Sequence, residues 1–377
     1  MQTIICFSHL RWNFVYQRPQ HLLSRLSELY NVLFIEEPLF DAEGEAQYSI
    51  TKVPGTDVQV IVPHLSPGVE EDKIVSIQKS LLDSLVRNYR LNNYIFWYYS
   101  PMAMLFSRHL TPGFIVYDCM DELSAFMFAS PLLKICETEL IGRADLLLTG
   151  GYSLYSVKKE LHKNAYCFPS SIDKDHFYRA RRRQADPVDQ AGIPFPRLGF
   201  FGVLDERFNS DLVKEAALLR PHWHFIMIGP VVKIDPAALP NLANIHYLGM
   251  KQYKELPAYL AGWDIAIMPF ALNAATRFIS PTKTPEYLAG GKPVISTSIR
   301  DVIHTYGNKK MVRIADTPQE FITAAECFLS NENKEEWIKE TDALLADMSW
   351  DGTAQAITAL IQQGQAEKED LKKTHNI

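Results

Sequence analysis

The stretch SPTKTPEYLAGGKPVISTS, residues 280–298, carries the densest structural grammar in the chain. Ser280, Pro281 and Thr282 precede a helical run, Glu286 falls in its first turn, Gly290 and Gly291 end it, and an apolar strand follows over 294–297. Thr282 and Lys283 at the helix start offer amide N–H groups, a hydroxyl and an ammonium, a set suited to a diphosphate. Glu286, one turn on, can accept two hydrogen bonds from a ribose diol. A helix that ends on paired glycines and feeds a strand is the repeating unit of an α/β sheet.

The unit recurs in both directions. Upstream lie a predicted strand over 198–203, a helix over 210–219, strands at 224–228 and 245–248, a helix across 253–260 and a strand at 265–269; downstream lies a strand at 312–314. The first half repeats the pattern with predicted strands at 3–7, 31–35, 58–62, 94–98, 114–117, 145–148 and 166–168, and helices between most of them. The segment between these halves, PSSIDKDHFYRARRRQADPVDQAGIPFP, is rich in Pro and charge and poor in periodicity, as a domain junction is. The expected division is an N-terminal domain over 1–170, a linker over 171–196, a second domain over 197–350 and a C-terminal helix and tail over 351–377, with 366–377 charged and frayed. The fold class is α/β: two doubly wound, Rossmann-like domains facing a cleft, closed by C-terminal helices. Ligands of such sheets sit beyond the carboxyl ends of the strands.

Composition agrees. At 377 residues, 47% of them hydrophobic, the chain exceeds one core's usual size. With 44 acidic against 38 basic residues the net charge is −6, which argues against nucleic acid as a partner. Cys6, Cys119, Cys136, Cys167 and Cys327 are scattered and odd in number, so neither a disulfide framework nor a zinc ribbon is expected, and a reducing cytoplasm fits. The opening MQTIICFSHLRW has no basic leader, and no apolar run reaches the roughly 18 residues that span a bilayer. Asp173-Lys174-Asp175 has the D-x-D form of a metal motif, but such a pair is expected by chance in a chain of this composition and it lies in the linker; His222-Trp223-His224 lacks a third ligand at a recognisable spacing, so no metal and no cofactor are expected. G-x-G-x-x-G, a P-loop and G-x-S-x-G are all absent from the sequence.

Residues 280–298 resemble the donor-site signature of glycosyltransferases of the GT-B fold, in particular the large retaining bacterial group called glycosyl transferases group 1 or family 4-like. PSSIDKDHF resembles that group's domain junction, and RLGFFGVLDERFNSDLV, residues 197–213, resembles the strand, Gly and loop that reach the donor phosphates. The resemblance implies a nucleotide-diphospho-sugar donor, UDP- or GDP-linked, in the second domain. It implies a glycan or lipid-linked acceptor in the first, with metal-independent transfer. Glu286 matches the ribose-binding Glu. The group's other Glu lies eight residues earlier, where this chain has Phe278, which leaves the donor sugar and the anomeric outcome open. Gly202 and Arg207 are the expected phosphate contacts, Gly229, Pro230, Gly249 and Lys251 the expected base pocket, and Ser280, Thr282 and Lys283 complete the donor set.

Catalytic candidates lie where strand 114–117 runs into DCMDELSAF. Asp118, Asp121 and Glu122 crowd three carboxylates at a strand's carboxyl end, where one could act as general base. In the first loop His9, Arg11 and Arg18 are candidates for an anionic acceptor or the donor phosphate. Phe126, Met127 and Phe128 beyond Asp121 would suit a lipid-linked acceptor and a peripheral membrane contact, with core packing as the alternative reading. A sugar-nucleotide epimerase or a non-catalytic sugar-nucleotide-binding protein are the competing functions.

Overall fold

The computed structural model describes residues 1–182, 184–307, 309–330 and 333–375. Its strands, in chain order, are β1 (Thr3–Phe7), β2 (Asn31–Ile35), β3 (Gln47–Lys52), β4 (Val58–His64), β5 (Tyr94–Tyr98), β6 (Phe114–Cys119), β7 (Leu146–Thr149) and β8 (Ala165–Cys167). They continue with β9 (Arg197–Phe201), β10 (His224–Ile228), β11 (Ile245–Tyr247), β12 (Ile265–Met268), β13 (Val294–Ser296) and β14 (Val312–Ile314). The first eight form one sheet in the order β3-β4-β2-β1-β5-β6-β7-β8, and the last six a second sheet in the order β11-β10-β9-β12-β13-β14. Every pairing between these strands is parallel except β3 with β4. The chain therefore forms two α/β sheets, as the sequence predicts.

Strand composition explains the order. β1, β5, β6 and β9 are buried along their whole length, which suits sheet centres covered by helices on both faces. β3, QYSITK, is almost wholly exposed and escapes hydrophobic patterning; it caps the edge of β4 as an antiparallel hairpin. Gly199 in the middle of β9 is required by packing, since a Cβ there would lie 2.1 Å from the Trp263 indole.

In each sheet the chain winds outward in both directions from its first strand, and the switch points fall between β1 and β5 and between β9 and β12. The carboxyl ends at both switch points open on the interdomain cleft.

The tail departs from expectation. Helix Trp350–His375 leaves the second domain, and Trp350, Ala354, Ile357 and Ile361 join the first domain's core beside Leu22, Leu23 and Leu26. Residues 366–375 stay helical, with Lys368 Nζ 2.8 Å from Asp145 Oδ2. A second clamp joins the domains nearer the cleft: the Ser153 amide donates to Asp301 Oδ1 at 2.9 Å, and the Tyr152 and His304 rings stack at 3.7 Å.

Candidate functional site

Two cavities adjoin in the cleft. The larger, about 410 Å³, lies in the size range of small-molecule sites. Its second-domain wall includes Phe201 at the end of β9 and Gly202 after it, Gly229 and Pro230 after β10, Met250, Lys251 and Tyr253 after β11, and Lys283 and Glu286. A smaller cavity of about 130 Å³ is lined by Asp121, Arg18, Arg207, Ser280, Thr282 and Lys283 among others. Val15, Gly202 and Lys283 line both.

The glycines at this junction are there for close approach. Gly229 has φ 146°, and a Cβ on it would meet the Gly202 carbonyl oxygen at 1.8 Å. Its amide donates to the Gly249 carbonyl at 3.0 Å, and Gly249, with φ 68°, lines neither cavity itself. Gly249 thus fixes the turn that presents Gly229.

Glu286 is buried on helix Lys283–Ala289, and burial pushes its carboxyl up to about 7 against the opposing pull of Lys283. Lys283 is half-buried, its ammonium held low by desolvation, and it donates to Thr282 Oγ1 at 2.8 Å. Lys251 lines the larger cavity, but its ammonium is engaged by Asp189 at 2.6 Å and lies over the Tyr259 ring.

The carboxylates after β6 separate sharply. Asp118 is fully buried, and the Arg18 guanidinium takes both its oxygens, with Nε at 3.0 Å from each. Arg18 is 2% exposed and also donates to the Phe168 carbonyl at 2.7 Å. Asp118 is therefore no free base, and Arg18 no free anion receptor; together they tie the first loop to β6. Glu122 is paired with Lys158 at 3.0 Å. Asp121 remains, half-buried in the smaller cavity, its carboxyl pushed up to about 6 by desolvation although Arg207 and Arg18 pull it down. Arg207 is clasped by Asp205 at 2.7 Å and lies 5.2 Å over the Phe126 ring, reaching across the cleft to the first domain.

Two first-loop candidates lie outside both cavities. Arg11 bonds Glu36 at 3.0 Å and the Glu37 and Pro38 carbonyls, bracing the loop after β2. His9 is desolvated beside Lys233, which lowers it to about 4 and leaves it neutral. The loop acts instead through side chains that sequence reasoning passed over: Trp12, Asn13, Phe14, Val15 and Tyr16 line the larger cavity from the first domain. Tyr16 stacks on Tyr253 at 4.7 Å, and Tyr253 stacks on His176 at 4.1 Å. The aromatic spacing in RWNFVY, on a loop after a central strand, was the available signal. The two metal-like motifs are accounted for locally: Asp173 caps helix Lys174–Tyr178 through the His176 amide, and His224 bonds His246 at 3.0 Å.

Comparison with known proteins agrees with this fold. A family model for glycosyl transferases group 1 matches residues 195–331. A putative teichuronic acid biosynthesis glycosyltransferase, TuaH, of Bacillus subtilis is 28% identical, the alignment covering 65% of this chain and 65% of that protein. Sucrose-phosphate synthase from Thermosynechococcus elongatus superposes with a TM-score of 0.69 at 13% identity, over 97% of this chain and 100% of that one. Anabaena HepE in complex with UDP and glucose gives 0.66 at 15%, over 98% and 100%. The E. coli trehalose-6-phosphate protein bound with UDP-2-fluoro glucose gives 0.70 at 11%, over 96% and 99%. With two α/β domains and a crossing C-terminal helix, the chain shares the fold of these solved structures along nearly its whole length, and its residues 195–331 match the model of glycosyl transferases group 1.

Proposed function

We propose that the protein transfers a sugar from a UDP-sugar to a hydroxyl of a glycan or lipid-linked acceptor, without a metal. One observation carries the reading. Lys283 and Gly202 stand on the wall shared by a nucleotide-sized cavity holding Glu286 and a smaller one holding Asp121, so one ligand can span both. The base and ribose occupy the larger cavity, with Glu286 on the ribose diol. The diphosphate lies at the junction against the Gly202 and Gly229 backbone, where Lys283 and Arg207 meet its charge. The sugar enters the smaller cavity. UDP is favoured over GDP because two solved structures of the same fold hold UDP or a UDP-sugar.

The acceptor oxygen attacks the anomeric carbon as the bond from that carbon to the diphosphate oxygen breaks. The acceptor proton passes to the Asp121 carboxylate, and UDP leaves with the bonding pair. Lys283 and Arg207 gain in value as charge collects on the leaving group, which is what lowers the barrier. Titrating the protein with UDP, GDP, ADP and CMP, then measuring nucleoside diphosphate release from the matching sugar donors, tests the reading. Expected are preferred binding of UDP and UDP release that grows with acceptor. Interconversion of the donor without release points to an epimerase, and binding without turnover to a non-catalytic protein. A carboxylate base on the acceptor side suits direct displacement, so the product's anomeric configuration should be opposite to the donor's.

A further inference from the structure

The loop that leaves Asp121 runs out of the cleft onto an exposed apolar face. Met127, Phe128, Leu132 and Ile135 are 45%, 85%, 47% and 66% exposed within nine residues of chain. Phe128 adopts φ 64°, a left-handed conformation that a bulky side chain takes only at a cost. Core packing does not account for it, because the ring stands in solvent. Phe126, two residues earlier, behaves oppositely and is held beneath Arg207 and Lys233 at 5.2 and 5.0 Å, so the backbone turns outward between the two rings.

The charge around this face is distinctive. The segment LSAFMFASPLLKI, residues 123–135, has no acidic residue in a chain of net charge −6, and neither has ALNAATRFISPTK, residues 271–283, across the cleft. Arg207 links the two segments: its guanidinium lies over the Phe126 ring and its carbonyl accepts from the Ala271 amide at 2.7 Å, and the next residue, Leu272, is 57% exposed. Lys134, Lys233 and Arg277 are exposed or partly exposed here, against Glu122, which is paired with Lys158, and Glu206, which faces Lys233 at 3.8 Å.

We propose that this face, centred on Phe128 and Ile135, docks the protein on a bilayer that carries anionic lipid. Apolar rings and branched side chains enter the interface, and the cations at the rim meet lipid phosphate. The face leads directly to Asp121, so a docked molecule presents its smaller cavity to a head group. That last consequence rests on the transferase reading; the docking does not.

Co-sedimentation with vesicles of phosphatidylcholine and phosphatidylglycerol in equal parts, and with phosphatidylcholine alone, tests it without donor or acceptor. Wild-type protein should sediment with the mixed vesicles and more weakly with the neutral ones. Phe128→Ser with Ile135→Ser should lower the partition coefficient by roughly tenfold or more at an unchanged melting temperature, and Lys134→Glu should weaken the mixed-vesicle binding alone. The proposal falls if the wild type stays in solution, if the double variant sediments like wild type, or if it melts early, which would make those side chains core. It also falls if light scattering shows that the face drives self-association instead.

Discussion

Glu286 and Asp121 set the residue-scale expectations, because burial raises both carboxyls into the working pH range. Glu286 has a folded pKa near 7, above the ordinary 4.5. Its neutral form is favoured in the fold, so its contribution is fully present below about 4.5 and is lost as pH rises from 4.5 through 7. Replacing Glu286 with Gln removes that loss. The variant should be more stable to unfolding than wild type at pH 8, by on the order of 1–3 kcal/mol, with the gain gone at pH 4. The same change should weaken UDP binding by about tenfold or more, since an amide accepts fewer hydrogen bonds from a diol than a carboxylate. A stability gain without loss of affinity would remove Glu286 from the donor site. Asp121, near 6 in the free protein, must be ionised to accept a proton. Turnover should therefore rise with pH through about 6, or somewhat higher once a diphosphate adds negative charge nearby. Asp121→Asn should lower turnover by on the order of a hundredfold and abolish that acidic limb while leaving UDP affinity intact. A variant that keeps the limb would exclude Asp121 as the base.

Elements deliver these residues, and the loop after β1 shows how. Its path is fixed by Arg18 on Asp118 at the end of β6 and by Arg11 on Glu36 after β2, which leaves Trp12–Tyr16 to wall the larger cavity. The Arg18–Asp118 pair is buried on both sides, so removing one partner strands a charge. Arg18→Met should destabilise by about 3–5 kcal/mol, and adding Asp118→Asn should recover much of it, measured by chemical denaturation. If the double variant is as unstable as the sum of the singles, the pair is not a unit. Reading from the sequence put both residues in the active machinery because their types suit it; the side-chain partner that takes each out of play is 100 residues away and invisible locally.

The whole molecule depends on a crossing helix. Trp350–His375 completes the first domain's core after the chain has built the second, so the two domains are tied at the hinge as well as at Asp301–Ser153. Truncation before Trp350 should unfold the first domain preferentially. Calorimetry should then show two transitions, the second domain, whose core keeps Phe321, Ile322 and Leu345, melting near its original temperature. One cooperative loss of both would mean that the domains do not fold separately.

Alternating apolar runs and helical spacing determined the two sheets, because burial on both faces of a parallel strand leaves a continuous apolar signature that β1, β5 and β9 carry plainly. They also marked the helix at 283–289 with Glu286, since helix starts and glycine stops are local chemistry. Exposed β3 has no such signature, and the tail's charged end hid a helix anchored by Lys368 on a distant Asp145. Only the tertiary structure decided which of Asp118 and Asp121 stays free, that Tyr16 joins Tyr253 from the other domain, and that Phe126 turns inward while Phe128 turns out. Each of those outcomes depends on a partner far away in the chain, and residue type and spacing hold no record of it.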